Sequence, residues 1–288
     1  MPRISLFRTS RTDRSGRSLA ASRQSRQEYV QTFKNLTAVE IATTELFDKN
    51  GKVEKQRKVI SDLLVYQMQT NSDVVVEFRI TREVDGKPVG KGEKQAIELI
   101  ENLAKSKNFE QEVKRLREEN LKYTLTYYRW GITLRPVPAV QKEMQPAYVF
   151  SQIQPERQGG RDMMILPYQT RGTSLSTYEL VRHFTNPEIG ERGRIWLDAE
   201  DFRVWRWESE RTVVDQDITS AAVYMRDEIE YVTNPFGILV PKKIVTSFFD
   251  KNEADNLSLR LTGRITYTYD EFKRFEVKSD SEVPKLRS

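Results

Sequence analysis

The chain has 288 residues, 38% of them hydrophobic, which suffices for one large β-domain or two smaller domains. It contains no cysteine, so disulfides, iron–sulfur clusters, thiolate zinc sites, thiol catalysis and a lipid-bearing cysteine are excluded. The formal charge of +5 and the pI near 9.2 suggest a nucleic-acid binder, but the charge is uneven. Seven arginines against Asp13 give residues 1–27 a balance of +6, which leaves the remainder at −1. No run approaches 18 apolar residues, so no membrane-spanning helix is predicted.

The Arg- and Ser-rich segment 1–27 reads as a basic disordered leader. It could be an inert tail, a transit-type peptide, or an arm for nucleic acid or anionic membrane. It lacks the interleaved aromatics on which single-stranded nucleic acid stacks, so no nucleic acid is expected as a partner. A gene start placed too far downstream would hide a secretory signal.

Thr37–Phe47 places Val39, Ile41 and Phe47 on one parity, and Asp48, Lys49, Asn50 and Gly51 then supply turn chemistry before the apolar run Val59–Met68. A hairpin is predicted. Asp73–Val84 alternates with Val74, Val76, Phe78 and Ile80 inward and Glu77, Arg79 and Thr81 outward, as in a sheet with one wet face. Over Glu93–Tyr123 the period becomes helical: Ile97, Ile100 and Ala104 mark one helix, and Asn108 with Gln111 resembles a capping box before Phe109, Val113 and Leu116. Short strands follow at Tyr123–Trp130, Ala147–Ile153 and Met163–Thr170, separated by prolines and the Gly159–Gly160 pair.

The later part is a series of strands: Arg194–Leu197, Phe202–Val213, Ala221–Glu230, Lys243–Phe249 and Leu257–Val277. In the last, Leu257, Leu259, Leu261, Ile265, Tyr267 and Tyr269 share one parity and polar residues the other. Gly193–Val214 reads as a hairpin carrying Trp196, Trp205 and Trp207. On its return strand Phe202 and Val204 are expected on one face and Trp205 and Trp207 on the other, so both faces need cover. That cover is either protein core or an apolar ligand.

Candidates for chemistry are weak. His183 stands alone, without a second histidine or a G-x-S-x-G, and reads as structural or superficial. Gly86–Gly92 (GKPVGKG) lacks the spacing and the hydroxyl residue of a phosphate loop and reads as a turn. Asp198, Glu200 and Asp201, and the pair Asp215 and Asp217, are acidic bends of the kind turns collect. Asp48, Asn50 and Gly51 lack the other oxygen ligands of a calcium loop. Tyr123, Tyr127, Tyr128 and Trp130 read as core and rim. No catalytic residue, metal site or cofactor is assigned, and no enzyme activity is expected.

The segments Gly193–Asp198 (GRIWLD), Arg203-Val204, Arg206-Trp207-Glu208, Val240–Ile244 (VPKKI) and Tyr267–Val277 (YTYDEFKRFEV) together resemble a pattern of uncharacterised exported proteins of acidobacterial-type soil bacteria. Their later half in turn looks like the periplasmic lipoprotein-carrier (LolA/LolB-like) superfamily. The resemblance covers roughly residues 28–278. It implies an α+β, mostly antiparallel fold: a curved, incomplete β-barrel wrapped around or covered by a few helices. On that expectation residues 28–288 form one half-barrel region, as a continuous sheet or two packed domains, with a helical insertion near 93–122. The implied function is non-enzymatic binding of lipid, or of the acyl chain of a lipoprotein, in the periplasm or cell envelope, with peripheral membrane contact. Without an undetected secretory signal the location would be cytoplasmic. Trp196, Trp205, Trp207 and Tyr267 are the candidate ligand-binding residues, chosen for two-sided burial. The alternative is an envelope interaction module with no ligand cavity.

Overall fold

A computed structural model of the chain describes residues 36–67, 75–89, 137–172, 188–215, 218–251 and 259–274, with isolated residues 32, 33, 111, 114, 118, 122, 123 and 125. Twelve strands form within these: β1 (Leu36–Phe47), β2 (Val53–Gln67), β3 (Val75–Val84), β4 (Lys87–Pro88), β5 (Tyr148–Phe150), β6 (Gln154–Gln158), β7 (Arg161–Thr170), β8 (Glu188–Asp198), β9 (Val204–Asp215), β10 (Ile218–Thr233), β11 (Leu239–Lys251) and β12 (Leu259–Arg274). They hydrogen-bond as one open sheet in the order β4-β3-β2-β1-β12-β11-β10-β9-β8-β7-β5, with β6 also on β7. Every register recorded for these neighbours is antiparallel.

This corrects the expected α+β class. The described residues build an open antiparallel sheet, not a barrel wrapped around helices, and the only complete helical spans among them are two three-residue 3-10 turns at Pro138–Val140 and Gln145–Ala147. The helices expected over 93–123 lie outside the described residues, apart from helical backbone at Gln111, Lys114 and Glu118. The leader 1–27, His183, Trp130 and Asp217 also lie outside them.

The turns follow from residues that tolerate positive φ. Asp85 (φ 50°) and Gly86 (φ 80°) join β3 to β4 as a two-residue hairpin turn, and Gly159 (φ 58°) and Gly160 (φ 84°) join β6 to β7 in the same way. Between β1 and β2, the Asp48 carboxylate accepts from the backbone N–H of Asn50 and Lys52 at 2.9 and 2.8 Å. The short polar loop is thereby fixed before the long strands pair.

The chain divides into two compact units, one drawing on residues 136–231 and 248–260, the other on 27–135, 232–247 and 261–288. In the second unit, β1 buries its even parity: Leu36, Ala38, Glu40, Ala42 and Thr44. Register puts Val65, Leu63, Ser61 and Val59 beside them on β2, and Tyr269, Tyr267 and Ile265 on β12. Fully burying a leucine such as Leu63, which is 1% exposed, contributes about 1.5–3 kcal/mol. The opposite face is also sheltered, by Leu64, Phe78 and Ile80. The single wet face expected here is therefore absent: Thr81 is buried, and the side chains of Glu77 and Arg79 are only 4% and 11% exposed.

Two bulges break the strand alternation. Between β1 and β12 the register slips after Thr37, opposite Glu271, whose φ is 51°. Between β8 and β9 it slips after Trp196, leaving Trp205 as the extra residue between Val204 and Arg206.

Candidate functional site

In the first unit, the tryptophan hairpin β8–β9 turns through Asp198–Arg203. The Asp198 carboxylate accepts from the Glu200 and Asp201 N–H groups at 2.8 and 3.4 Å, and Phe202 takes φ 60°. The Arg203 guanidinium holds the Asp201 carboxylate below its usual range, chiefly through their side-chain hydrogen bond. This acidic bend is thus occupied in shaping its own turn.

The bulge separates the tryptophans that simple alternation puts together. Trp205 packs with Trp196, Met163 and Ile165, and the Arg161 guanidinium lies 4.0 Å from its ring centroid. Trp207 is 1% exposed on the opposite face, where its indole N–H donates to the Tyr168 hydroxyl at 2.7 Å. Tyr168 in turn donates to Glu191 at 2.9 Å, and its pKa is pushed well up, first by burial and then by the Glu191 charge. Trp196 and Trp205 therefore form one apolar cluster, Trp207 belongs to a buried polar network, and Tyr267 lies on β12 in the other unit.

On the Trp196 side of the sheet the pattern turns ionic. A groove of about 600 Å³ is lined by Ser151, Gln169, Arg192, Arg194, Glu208 and Arg226 among others. Cross-strand register aligns Arg192, Glu210 and Arg226, and the Glu210 carboxylate accepts from both arginines at 3.0 and 2.6 Å. Burial opposes its ionisation, yet the hydrogen bonds from Arg226 and Arg192 win and hold its pKa low. Arg192 and Arg226 have side chains 57% and 44% exposed, so each pair contributes only about 0–1 kcal/mol. The groove offers fixed charge, not a greasy lining.

The second unit holds the feature that sequence reading missed. On the buried parity of β1, Glu40 is 0% exposed, and Arg79 from β3 donates to it through Nε at 2.7 Å and Nη2 at 2.8 Å. The same Nη2 reaches Glu77 at 3.1 Å. Burial disfavours the Arg79 charge, but the Glu40 and Glu77 carboxylates overcome it and raise its pKa. Glu40 lies opposite Ser61 on β2 and Tyr269 on β12. The Ser61 and Tyr269 hydroxyl oxygens are buried without a hydrogen-bond partner. The available signal was Glu40 sharing its parity with Leu36, Ala38 and Ala42, a charge among apolar residues.

No family model matches the chain, and no curated protein matches it. Among solved structures it is similar to a LolA superfamily protein from Nitrosomonas europaea, at 9% identity and a TM-score of 0.36, covering 88% of this chain and 96% of that one. It is also similar to a DUF1329 family protein from Desulfovibrio piger, at 10% identity and a TM-score of 0.32, covering 90% and 92%. A Pseudomonas aeruginosa MucA/MucB complex is more remote, at 9% identity and a TM-score of 0.21. At these identities and scores the likeness says nothing about ligand or activity.

Proposed function

We propose that the chain is a non-enzymatic, carrier-like binding protein of the bacterial cell envelope, which shelters an acyl chain, free or borne by a lipoprotein. The observation that supports this reading is the trough along β1. Ala38 and Ala42 are small residues on a central strand, and β2 and β12 raise larger walls beside them: Leu63, Val59 and Tyr267. A hydrocarbon chain laid along such a trough loses water from both sides, and each buried methylene contributes about 0.8 kcal/mol. Tyr267, chosen from sequence, is part of this wall. Ala38 and Ala42 are 2% and 6% exposed, so an incoming chain has to displace what covers them.

Organic extraction of the purified protein, followed by lipid mass spectrometry, tests the reading. Acyl lipid at near-stoichiometric yield is expected. A lipid-free protein that also fails to bind a fluorescent fatty acid would overturn it.

The charged groove favours a second reading, an interaction module of the envelope. Its alternating arginines and glutamates suit a polar protein surface better than a lipid. On that reading Arg192→Glu with Arg226→Glu abolishes partner binding and leaves fatty-acid binding unchanged.

A further inference from the structure

The buried face of β1 is apolar except at one place, and there it carries more negative than positive charge. Glu40 and Glu77 face a single guanidinium, that of Arg79, so the trio has one carboxylate in excess. Charge withdrawn from water normally has its full set of hydrogen-bond partners, because an unmet polar atom costs about 1–3 kcal/mol. Here the two residues flanking Glu40 break that rule. Ser61 is 1% exposed and Tyr269 is 7% exposed, and neither hydroxyl has a partner. The Tyr269 phenol lies in the field of Glu40, Arg79 and Glu77, and burial with the Glu40 charge pushes its pKa well up, so it stays a neutral hydroxyl.

We propose that Glu40, Glu77, Ser61 and Tyr269 form a receiving site for the ammonium head of an amphiphile whose chain lies in the β1 trough. This rests on the reading of that face as a ligand face and adds the class of head group. The chemistry selects a cation for three reasons. An ammonium offers three N–H donors, and hydroxyl oxygens on both sides of a carboxylate can accept them. The excess carboxylate compensates its charge in a medium where an unpaired ion is costly. A carboxylate or phosphate head would instead meet that excess negative charge, with Arg79 already engaged by Glu40 through two nitrogens. Arg79 is a positioning residue here: it holds both carboxylates at the site.

The test uses the full-length protein and three probes of equal chain length, dodecylamine, dodecanol and dodecanoate, titrated calorimetrically below their aggregation concentrations. Dodecylamine is expected to bind at least tenfold more tightly than dodecanol, with dodecanoate weakest. Ser61→Ala with Tyr269→Phe should bring dodecylamine to within about twofold of dodecanol and leave dodecanol unchanged. Removing two unpartnered hydroxyls does not disturb a folded core, and circular dichroism checks this. Glu77→Gln, which removes the excess charge without changing shape, should lower the preference for the amine by a similar factor and serves if the double variant does not fold. Equal affinities for all three probes, or a preference for dodecanoate, would overturn the head-group site while leaving the trough intact. Failure of every probe to bind would overturn both.

Discussion

Tyr168 of β7 stands directly opposite Gly193 of β8, and its ring occupies the space a side chain at 193 would need. A Cβ on Gly193 would lie 2.7 Å from the Tyr168 hydroxyl oxygen, 2.8 Å from its Cε1 and 2.1 Å from the Glu208 carbonyl oxygen. The last of these is backbone and cannot swing away. Gly193→Ala is therefore expected to lose about 3 kcal/mol by overpacking, and to pull Tyr168 from Glu191 and Trp207. Gly190→Ala on the same strand meets only the Thr212 hydroxyl at 2.9 Å, a side-chain atom that can rotate. Urea unfolding of the two variants should show a clearly larger loss for Gly193→Ala, and equal losses would refute the packing account.

The Glu40–Arg79 pair makes a second prediction. Removing one partner leaves the other charged and buried, a loss of about 3–5 kcal/mol. Arg79→Met should do this most severely, since both Glu40 and Glu77 lose their counterion. Combining Glu40→Leu with Arg79→Met should cost less than the sum of the single changes, because the double variant strands less charge than either single one. An additive thermal-denaturation cycle would show that the pair is not coupled.

Those two networks also mark what could be read from the chain and what could not. Most strands and several hairpin turns are visible in period-2 alternation and in Asp-Gly, Gly-Gly and Asp48–Gly51 turn chemistry, and the dry parity of Ile265, Tyr267 and Tyr269 is as expected. The inward face of β1 is not. Val39 and Ile41 outweigh Ala38 and Ala42 in hydrophobicity, yet the alanine parity is buried, because what decides burial is the neighbouring strand set and not residue type. Glu77 and Arg79 read as solvent-facing for the same reason: their burial depends on a partner 37 or more positions away. The bulge at Trp205 leaves no local mark, and one inserted residue moves that tryptophan to the face opposite Trp207. Of the four residues chosen as a site, Trp196 and Trp205 meet, whereas Trp207 and Tyr267 each lie elsewhere.

High pH should weaken the fold through its tyrosines. Tyr168 and Tyr269 are both held above the ordinary phenol pKa of about 10, first by burial and then by the charge of Glu191 and Glu40 respectively. With the folded pKa raised, the unfolded chain binds fewer protons than the folded one once the pH passes the ordinary value. The stabilisation is complete below that point and is lost as pH climbs toward the folded pKa. Spectrophotometric titration near 295 nm should resolve a class of tyrosines that ionise only with unfolding. Tyr168→Phe with Tyr269→Phe should make the midpoint of unfolding less steeply dependent on pH above 10. An unchanged slope would mean that both phenols ionise freely in the folded state.

The two tryptophans of β9 should differ sharply when truncated. Trp207 is 1% exposed and donates to Tyr168, so Trp207→Ala opens a cavity and leaves the Tyr168 hydroxyl short of a donor, a loss of about 3–5 kcal/mol. Trp205 is half-buried and rests on Met163, Ile165 and Trp196 under the Arg161 guanidinium, so Trp205→Ala should cost about 1–2 kcal/mol. Fatty-acid titrations of the same variants separate packing from binding. With the acyl chain in the β1 trough, Trp205→Ala leaves affinity within about twofold, whereas Tyr267→Asp, which puts a charge into the trough wall, lowers it at least tenfold. If Trp205→Ala abolished binding while Tyr267→Asp did not, the apolar cluster of the first unit would be the ligand site and the trough would not.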